Sequence, residues 1–525
     1  MASTKPPDPT VLIYSLLAAG IFYAAYTLIY RVYFHPIAQF PGPKLAAATK
    51  WYECYFDVFK GQGGQYSKRI NDMHDRYGPI VRINPDELHI RDPSQYEVIY
   101  SGKRDKWPPA ATMAGLEMQT FATVSHDLHR KRRAANMPLM GKRVVLESVP
   151  MMQTKVSKLR EAFRDAETSG LSLELGVSFL AYTTDIAGEY FFQQSLDMQD
   201  DVVKARQWKT ATHRLATMTP VIKQFPWIMK PALLMPTAVM DTVAPDIACL
   251  MGIQRDMEVS ARAFLAEIEQ AAARSDPSGK QSRPATLFHS IYKHPAPPEE
   301  KSLTRLFHEG MNVIIAGSET TARVLTRALY ELTANPDVFI KTRQELQETA
   351  SRLCRPVSEV TLTELEHLPY FIAVTKEALR IAAIPTSRLP LLAPEPLQYG
   401  QWTIPAMTPV SLTPYDVLHD STIFPEPGSF RPDRWLTTSD DGTLNLHTDL
   451  ERYFVMFGKG PRMCQGINLA YAELYLALAV LITSFDFELF DVVKERDIDY
   501  AADCFLGETR ADSPGVRVLI KKLTS

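Results

Sequence analysis

The segment 302–334 constrains this chain more than any other. It keeps a helical apolar period for 33 residues without a proline. Ser302 stands where a hydroxyl can cap the first turn, and Asn335-Pro336 stops the last. A helix of that length spans roughly 50 Å, enough to cross a whole large domain. Helical periodicity also dominates 150–382, while strand-like runs are confined to 79–91, 387–411 and 515–523. At about 150 residues per domain, the 525 residues would allow three or four domains. The best linker candidate is 273–301, rich in Ser, Pro and charge. Helical patterns flank it on both sides, so it reads as a surface loop. The expected fold is mainly α with a minor β component, in one large helical domain.

A second constraint lies at the N-terminus. Val11 to Tyr30 is a run of 20 residues without a charge, which as a helix covers the roughly 30 Å of a bilayer core. Tyr14, Tyr23, Tyr26, Tyr30 and Tyr33 lie along it, the outer ones where amphipathic rings suit the interface. The run ends in Tyr30-Arg31-Val32-Tyr33-Phe34 rather than in small residues before a cleavage site, so a retained anchor is preferred to a signal peptide. Lys5 and Asp8 precede it; Arg31, His35, Lys44 and Lys50 follow. The positive-inside rule then puts the main domain in the cytosol. No Asn begins an N-x-[ST] sequon, and the five cysteines show no paired spacing, as in a reducing compartment. The expected division is a tail 1–10, an anchor 11–33, a proline-rich bend 34–44 around Phe40-Pro41-Gly42-Pro43, and a main domain 45–525. With 57 basic and 60 acidic residues the net charge is 57 − 60 = −3, which argues against a nucleic-acid partner.

The chemistry concentrates in Phe457-Gly458-Lys459-Gly460-Pro461-Arg462-Met463-Cys464-Gln465-Gly466. Three glycines in nine residues allow tight turns and let the backbone approach a flat ligand. Cys464 precedes an apolar helical run from Ile467 to about Phe485. Free N–H groups at that helix start, and the charge of Arg462 two residues away, are expected to favour thiolate. A buried structural cysteine is the bland alternative. A zinc site is disfavoured, since no second Cys or His stands at ligand spacing.

The pattern F-x-x-G-x-R-x-C-x-G resembles the haem-binding signature of the cytochrome P450 monooxygenases, with Phe457, Gly460, Arg462, Cys464 and Gly466 at its fixed positions. Further motifs follow the family order. Glu377-x-x-Arg380 sits on one helix face, and Phe430-x-Pro432-Asp433-Arg434-Trp435 resembles the segment whose Arg joins that pair. The resemblance therefore implies a buried structural triad of Glu377, Arg380 and Arg434. Ala316-Gly317-Ser318-Glu319-Thr320-Thr321 falls in the middle of the long helix, where Gly, Ser and Thr are poor choices. Thr320 can bond the carbonyl of Ala316 and loosen the ladder, making room for dioxygen, and an acid beside an alcohol makes a proton relay. A helix-packing notch is the rival reading. His129 and Arg133 share a helix face where the family has W-x-x-x-R donating to haem propionates. Arg130, Lys131 and Arg132, on other faces, are expected to attract an acidic redox partner or simply to be solvated. One departure is Arg388-Leu389-Pro390-Leu391, with Leu391 where the family often has a propionate-binding Arg. Either Arg388 bends in, or the haem has one cationic partner fewer.

The early segments Tyr33-Phe34-His35-Pro36, Phe40-Pro41-Gly42-Pro43-Lys44 and Ile83-Asn84-Pro85-Asp86-Glu87 are similar to membrane-anchored P450s of filamentous-fungal secondary metabolism, the trichodiene-oxygenase-like group. The resemblance implies a P450 fold around a haem with a cysteine thiolate ligand, Cys464 on the iron, and Glu319 and Thr320 as the catalytic pair. It implies dioxygen and an NADPH-cytochrome P450 reductase as partners, on the cytosolic face of the endoplasmic reticulum membrane. Ala316, Gly317, Ile384 and Phe505 would line the pocket, with the loops 107–124 (Met113, Met118 and Phe121 among them) and 384–389. The implied reaction is hydroxylation, epoxidation or repeated oxidation of a hydrophobic intermediate, a terpenoid before a polyketide or alkaloid. A haem-thiolate isomerase or dehydratase that needs no dioxygen, and a non-catalytic anchored haem protein, are the alternatives.

Overall fold

The computed structural model describes residues 9–111, 116–228, 245–273, 286–382, 384–440 and 442–523. Residues 1–8 of the tail, Met113, and residues 274–285 of the presumed loop 273–301 lie outside the described residues. We label the helices of eleven or more residues as α1 Pro9–Ile29, α2 Tyr66–Tyr77, α3 His126–Asn136, α4 Val149–Ser169, α5 Leu175–Phe192, α6 Val202–Gln224, α7 Pro245–Ala273, α8 Leu303–Ala334, α9 Pro336–Leu353, α10 Pro369–Ile381 and α11 Ile467–Ser484.

α8 runs where its caps place it. The Ser302 hydroxyl accepts from the Arg305 N–H at 3.3 Å, and Asn335 closes the other end. The Thr320 hydroxyl donates to the Ala316 carbonyl at 2.8 Å, but the helix is continuous from Leu303 to Ala334, without the expected gap in the ladder. Its apolar stripe, with Leu306, Ile314, Leu325, Leu329 and Leu332 fully buried, packs on α5, α10 and α11. α11 is apolar nearly all round and is buried accordingly, from Leu469 to Ile482. α1 is equally apolar but has no buried residue; with the wide turn Tyr30–Phe34 it forms a 26-residue helical segment long and apolar enough to cross a membrane.

The β component is small. A five-stranded sheet has the order β1-β2-β6-β5-β3, built from β1 Ile80–Arg82, β2 Leu88–Ile90, β3 Asp105–Lys106, β5 Leu391–Leu392 and β6 Pro409–Ser411. In its register Lys106 lies opposite Leu391. β10 Arg517–Lys521 lies between β7 Asp486–Leu489 and β4 Leu173–Glu174 and pairs with both, and β8 Ala502–Cys504 with β9 Leu506–Glu508 forms a hairpin turned at Phe505. Two further hairpins are Leu397–Tyr399 with Trp402–Ile404, inside the expected strand run 387–411, and Leu436–Thr438 with Leu444–Leu446, outside every expected run.

One expectation is corrected. The segment 273–301 is not all loop: Leu287–Lys293 is a helix with a Thr286 capping box, and Leu287, Phe288 and Ile291 are buried in the core. The Ser, Pro and charge content of the segment hid this one amphipathic turn pair.

Candidate active site

The Cys464 turn is built by glycines. Gly460 has φ +69°, and a Cβ there would stand 2.4 Å from the Tyr100 carbonyl oxygen; Gly458 has φ +71°. Only a residue without a side chain fits the first position. The Cys464 N–H donates to the Phe457 carbonyl at 2.8 Å, closing the loop, and the Phe457 ring packs against Phe454 and Tyr471. Gly466 caps α11 directly behind.

The electrostatics at Cys464 differ from the sequence expectation. Burial among protein atoms pushes the thiol pKa up; the Gly466 N–H and the Arg133 guanidinium pull it down but do not win. The residue as a whole is nevertheless solvent-accessible. The neighbouring cation is Arg133, whose guanidinium donates to the Met463 carbonyl at 2.5 Å. Arg462 turns away from the thiol. It donates to the carbonyls of Thr123 at 2.9 Å and Val124 at 2.6 Å, tying the Cys464 turn to the strand-like segment before α3.

Around that junction lies a group of cations poorly supplied with anions. His129 is held neutral down to about pH 3 by burial, then by Arg462, Lys106 and Arg133. Lys106 is pushed down to about 7 by burial and by Arg462, and Arg462 to about 10 by burial, with Asp105 opposing. The His129 Nδ1 is buried without a hydrogen-bond partner. Lys106 donates to the Phe121 carbonyl at 2.5 Å and sits over the Phe121 ring. It was not singled out from sequence. Only the sheet register, which sets it opposite Leu391, brings it to the site. Arg388 does not fill that gap. It is buried in an acidic nest, 2.8 Å from Glu53 and 2.9 Å from Glu87.

Segment 116–125 joins the parts. Through Arg462 it meets the Cys464 turn, through Thr120 it donates to Glu309 of α8 at 2.8 and 2.7 Å, and the Phe121 ring meets Phe505 with centroids 5.4 Å apart. Phe505 takes φ +75° at the hairpin tip, and its carbonyl accepts from the Thr386 N–H, beside buried Ile384. On α8, Ala316 is exposed although the helix is deep in the protein, with Gly317 and Thr320 partly so, which marks an inner open face. Glu319 points elsewhere. Its carboxylate accepts from Arg323 at 2.8 Å and from the Thr212 hydroxyl at 3.0 Å.

The triad motif forms one buried knot. Arg380 meets Glu377 in a two-pronged contact of 2.8 Å each, Arg434 adds 3.1 Å, and the Trp435 indole N–H donates to the same carboxylate at 2.9 Å. The basic run needs a correction. Arg132 is buried, paired with Glu300 at 2.7 Å and bonded to Thr123, so it is not free to attract a partner; Arg130 is exposed.

Comparison with known proteins decides the family. The cytochrome P450 family model matches residues 48–511. The chain belongs to the cytochrome P450 family. Among its relatives are a tryptophan 6-hydroxylase of Fusarium equiseti, 38% identical over 94% of both chains, and an N-acetyltryptophan 6-hydroxylase of Emericella nidulans, 37% identical over 97% of both. The conidiogenone synthase of Penicillium rubens is 36% identical over 97% of this chain and 99% of that one. The P450 family uses a haem with a cysteine thiolate ligand, and the residues here fit such a group. A cysteine on a glycine-built turn offers the soft ligand, while buried His129 and Lys106 and half-buried Arg133, with an orphan ring nitrogen among them, suit two carboxylates. As a P450 monooxygenase the protein uses dioxygen and a redox partner on small-molecule substrates.

Proposed function

We propose that this P450 is a haem-thiolate monooxygenase that inserts oxygen into a C–H or C=C bond of a hydrophobic secondary-metabolite intermediate, drawing electrons from an NADPH-cytochrome P450 reductase at the endoplasmic reticulum membrane. The observation that carries it is the Cys464 turn, braced by Arg133 and Arg462, together with an open α8 face at Ala316 and Thr320. Haem, when bound, would supply the dioxygen chemistry, and the Cys464 thiolate would hold it. The chain supplies the rest. His129, Arg133 and Lys106 bind the haem carboxylates, Ala316, Gly317, Ile384 and Phe505 exclude water and orient the substrate, and Thr320 with Glu319 moves protons. α1 inserts in the bilayer, and the exposed rings of Trp51, Tyr55, Phe59 and Trp227 rest on its surface.

Two relatives named as hydroxylases of tryptophan and of its N-acetyl derivative favour an aromatic ring as the site of attack, and the Phe121–Phe505 pair suits an aromatic guest. Terpenoid skeletons are the second choice. The test is microsomes carrying the full chain and a reductase, fed tryptophan, N-acetyltryptophan and a terpene hydrocarbon under oxygen-18. Label in a product, dependent on NADPH, is expected. Product formation without NADPH or without label would favour the isomerase or dehydratase reading.

A further inference from the structure

Glu319 ends a continuous chain of polar contacts that reaches the protein surface. Its Oε1 accepts from Arg323 at 2.8 Å. The same guanidinium donates to the Gly507 carbonyl at 2.7 Å and to the Glu508 carboxylate. The other Glu508 oxygen meets the His213 Nδ1 at 2.9 Å, and the His213 side chain is 47% exposed. Thr212 and His213 are consecutive on α6, so one turn of that helix grips both carboxylates that share Arg323.

The charge count is uneven. One guanidinium serves two carboxylates, Glu319 at 12% and Glu508 at 5% side-chain exposure. While His213 is neutral, Arg323 is divided between them. A proton on His213 gives Glu508 its own cation and leaves Arg323 to Glu319. The added positive charge then tightens the ion pair on Glu319. The nearby titratable groups do not offset it: the Cys504 thiol is pushed up by burial and then by Glu508 and Asp503, the Asp503 carboxylate is bonded to Ser67, Thr386 and Ser387, and Lys209, one turn earlier on α6, is committed to Glu174.

We propose that His213 and Glu508 are positioning residues for Glu319: acting through Arg323, they set how firmly its carboxyl is held back from proton delivery, and His213 makes that hold depend on pH. This rests on the reading of Glu319 and Thr320 as the proton-moving pair. The imidazole is suited to the role because histidine is the side chain that changes charge between pH 5 and 8. The glutamate partner is suited because it is buried and already shared. No new bond is made or broken; the network alters only how readily Glu319 gives up and regains a proton.

The test needs no identified substrate. In the reconstituted holoenzyme with a flavoprotein reductase and NADPH, dioxygen takes two electrons and two protons to give hydrogen peroxide, or four and four to give two waters. The peroxide share is measured from pH 5.5 to 8. In the native chain, the water-to-peroxide ratio is expected to fall by about tenfold toward pH 5.5, the order of one proton equilibrium displaced by a unit. His213→Gln keeps an amide donor for Glu508 but cannot charge, and should hold the pH 8 ratio throughout. Glu508→Gln removes the competing anion and should show the low ratio at every pH. Infrared difference spectra between the same pH limits, with and without Glu319→Gln, should show a Glu319 carboxyl signal that His213→Gln abolishes. If Glu319→Gln leaves the peroxide share unchanged, the proton-pair reading itself fails. If Glu319→Gln raises it but His213→Gln keeps the native profile, the positioning role is overturned. Equal, pH-independent losses in His213→Gln and Glu508→Gln, with a lowered melting temperature, would mean the network only holds the fold together.

Discussion

At the residue scale, small groups decide the site. Gly460 is one: its φ of +69° and the 2.4 Å approach to the Tyr100 carbonyl leave no room for a methyl. Gly460→Ala must either shift the Cys464 turn or expel the backbone of Tyr100, and about 2–3 kcal/mol of destabilisation is expected from positive-φ strain and overpacking. Thermal unfolding of the holoprotein checks it; an unchanged melting temperature would show that the turn relaxes freely. Lys106 is another. Burial depresses its ammonium to about 7, and in the proposed reading a haem carboxylate is its partner. Lys106→Met should speed haem transfer from the holoprotein to an excess of apomyoglobin by about tenfold, the weight of one charge-assisted hydrogen bond. No change would assign the carboxylates to other partners. The Cys464 motif was legible from residue types alone, because few other patterns combine three glycines, an arginine and a cysteine so closely. Lys106 was not, because it is made relevant by its strand neighbour Leu391, and register is a property of the folded sheet.

Elements show what local sequence can and cannot announce. α8 was readable end to end because its caps and its period agree with its tertiary role. The short helix Leu287–Lys293 was missed because its flanks are loop-like, and because three buried apolar residues in seven positions give too short a period to register. The Glu377–Arg380 pair on α10 was legible as a spacing, but the spacing alone is worthless; what gives it weight is that Arg434, Trp435 and the Arg431 N–H converge on the same carboxylate. Glu377→Ala would strand two guanidinium groups inside the protein, at a cost of about 3–5 kcal/mol. Expression of Glu377→Ala should give little folded haem protein, whereas a variant with native stability would mean the knot is dispensable.

The β1–β2 region carries a pH response in its core. His74 bonds the Gly78 carbonyl and His89, and His89 bonds Thr413. Burial lowers His74 to about 4 and His89 well below its ordinary value. Both are depressed in the fold, so below about pH 6.5 the unfolded chain binds protons that the folded chain refuses, and stability falls as pH falls. Nearby Asp416 is raised to about 6 by burial and works the other way over the range from there down to its ordinary value. Two groups against one leaves a net loss of about 1–3 kcal/mol per pH unit between pH 6.5 and 4. Denaturant titrations at pH 7, 6 and 5 should show it; a flat or rising midpoint would contradict neutral burial of the pair.

For the whole molecule, the architecture is a buried haem-protein core on an exposed apolar stalk. α1 has no buried residue, and the rings of Trp51, Phe59 and Trp227 are exposed on the main domain. Deleting residues 1–33 should move most of the protein from the membrane pellet to the salt-washed supernatant while leaving the main domain folded. Its remaining exposed rings should still hold part of it on vesicles. The apolar helix was legible because twenty uncharged residues in a row have few uses; the exposed rings were not, since an exposed aromatic looks like a core residue until the fold leaves it outside. The account as a whole turns on Cys464 as the thiolate ligand of a haem. Its most direct test is the carbon monoxide difference spectrum of the dithionite-reduced full chain beside Cys464→Ser. The thiolate-type Soret band should be present in the first and lost in the second; its persistence in Cys464→Ser would contradict the assignment on which the site is built.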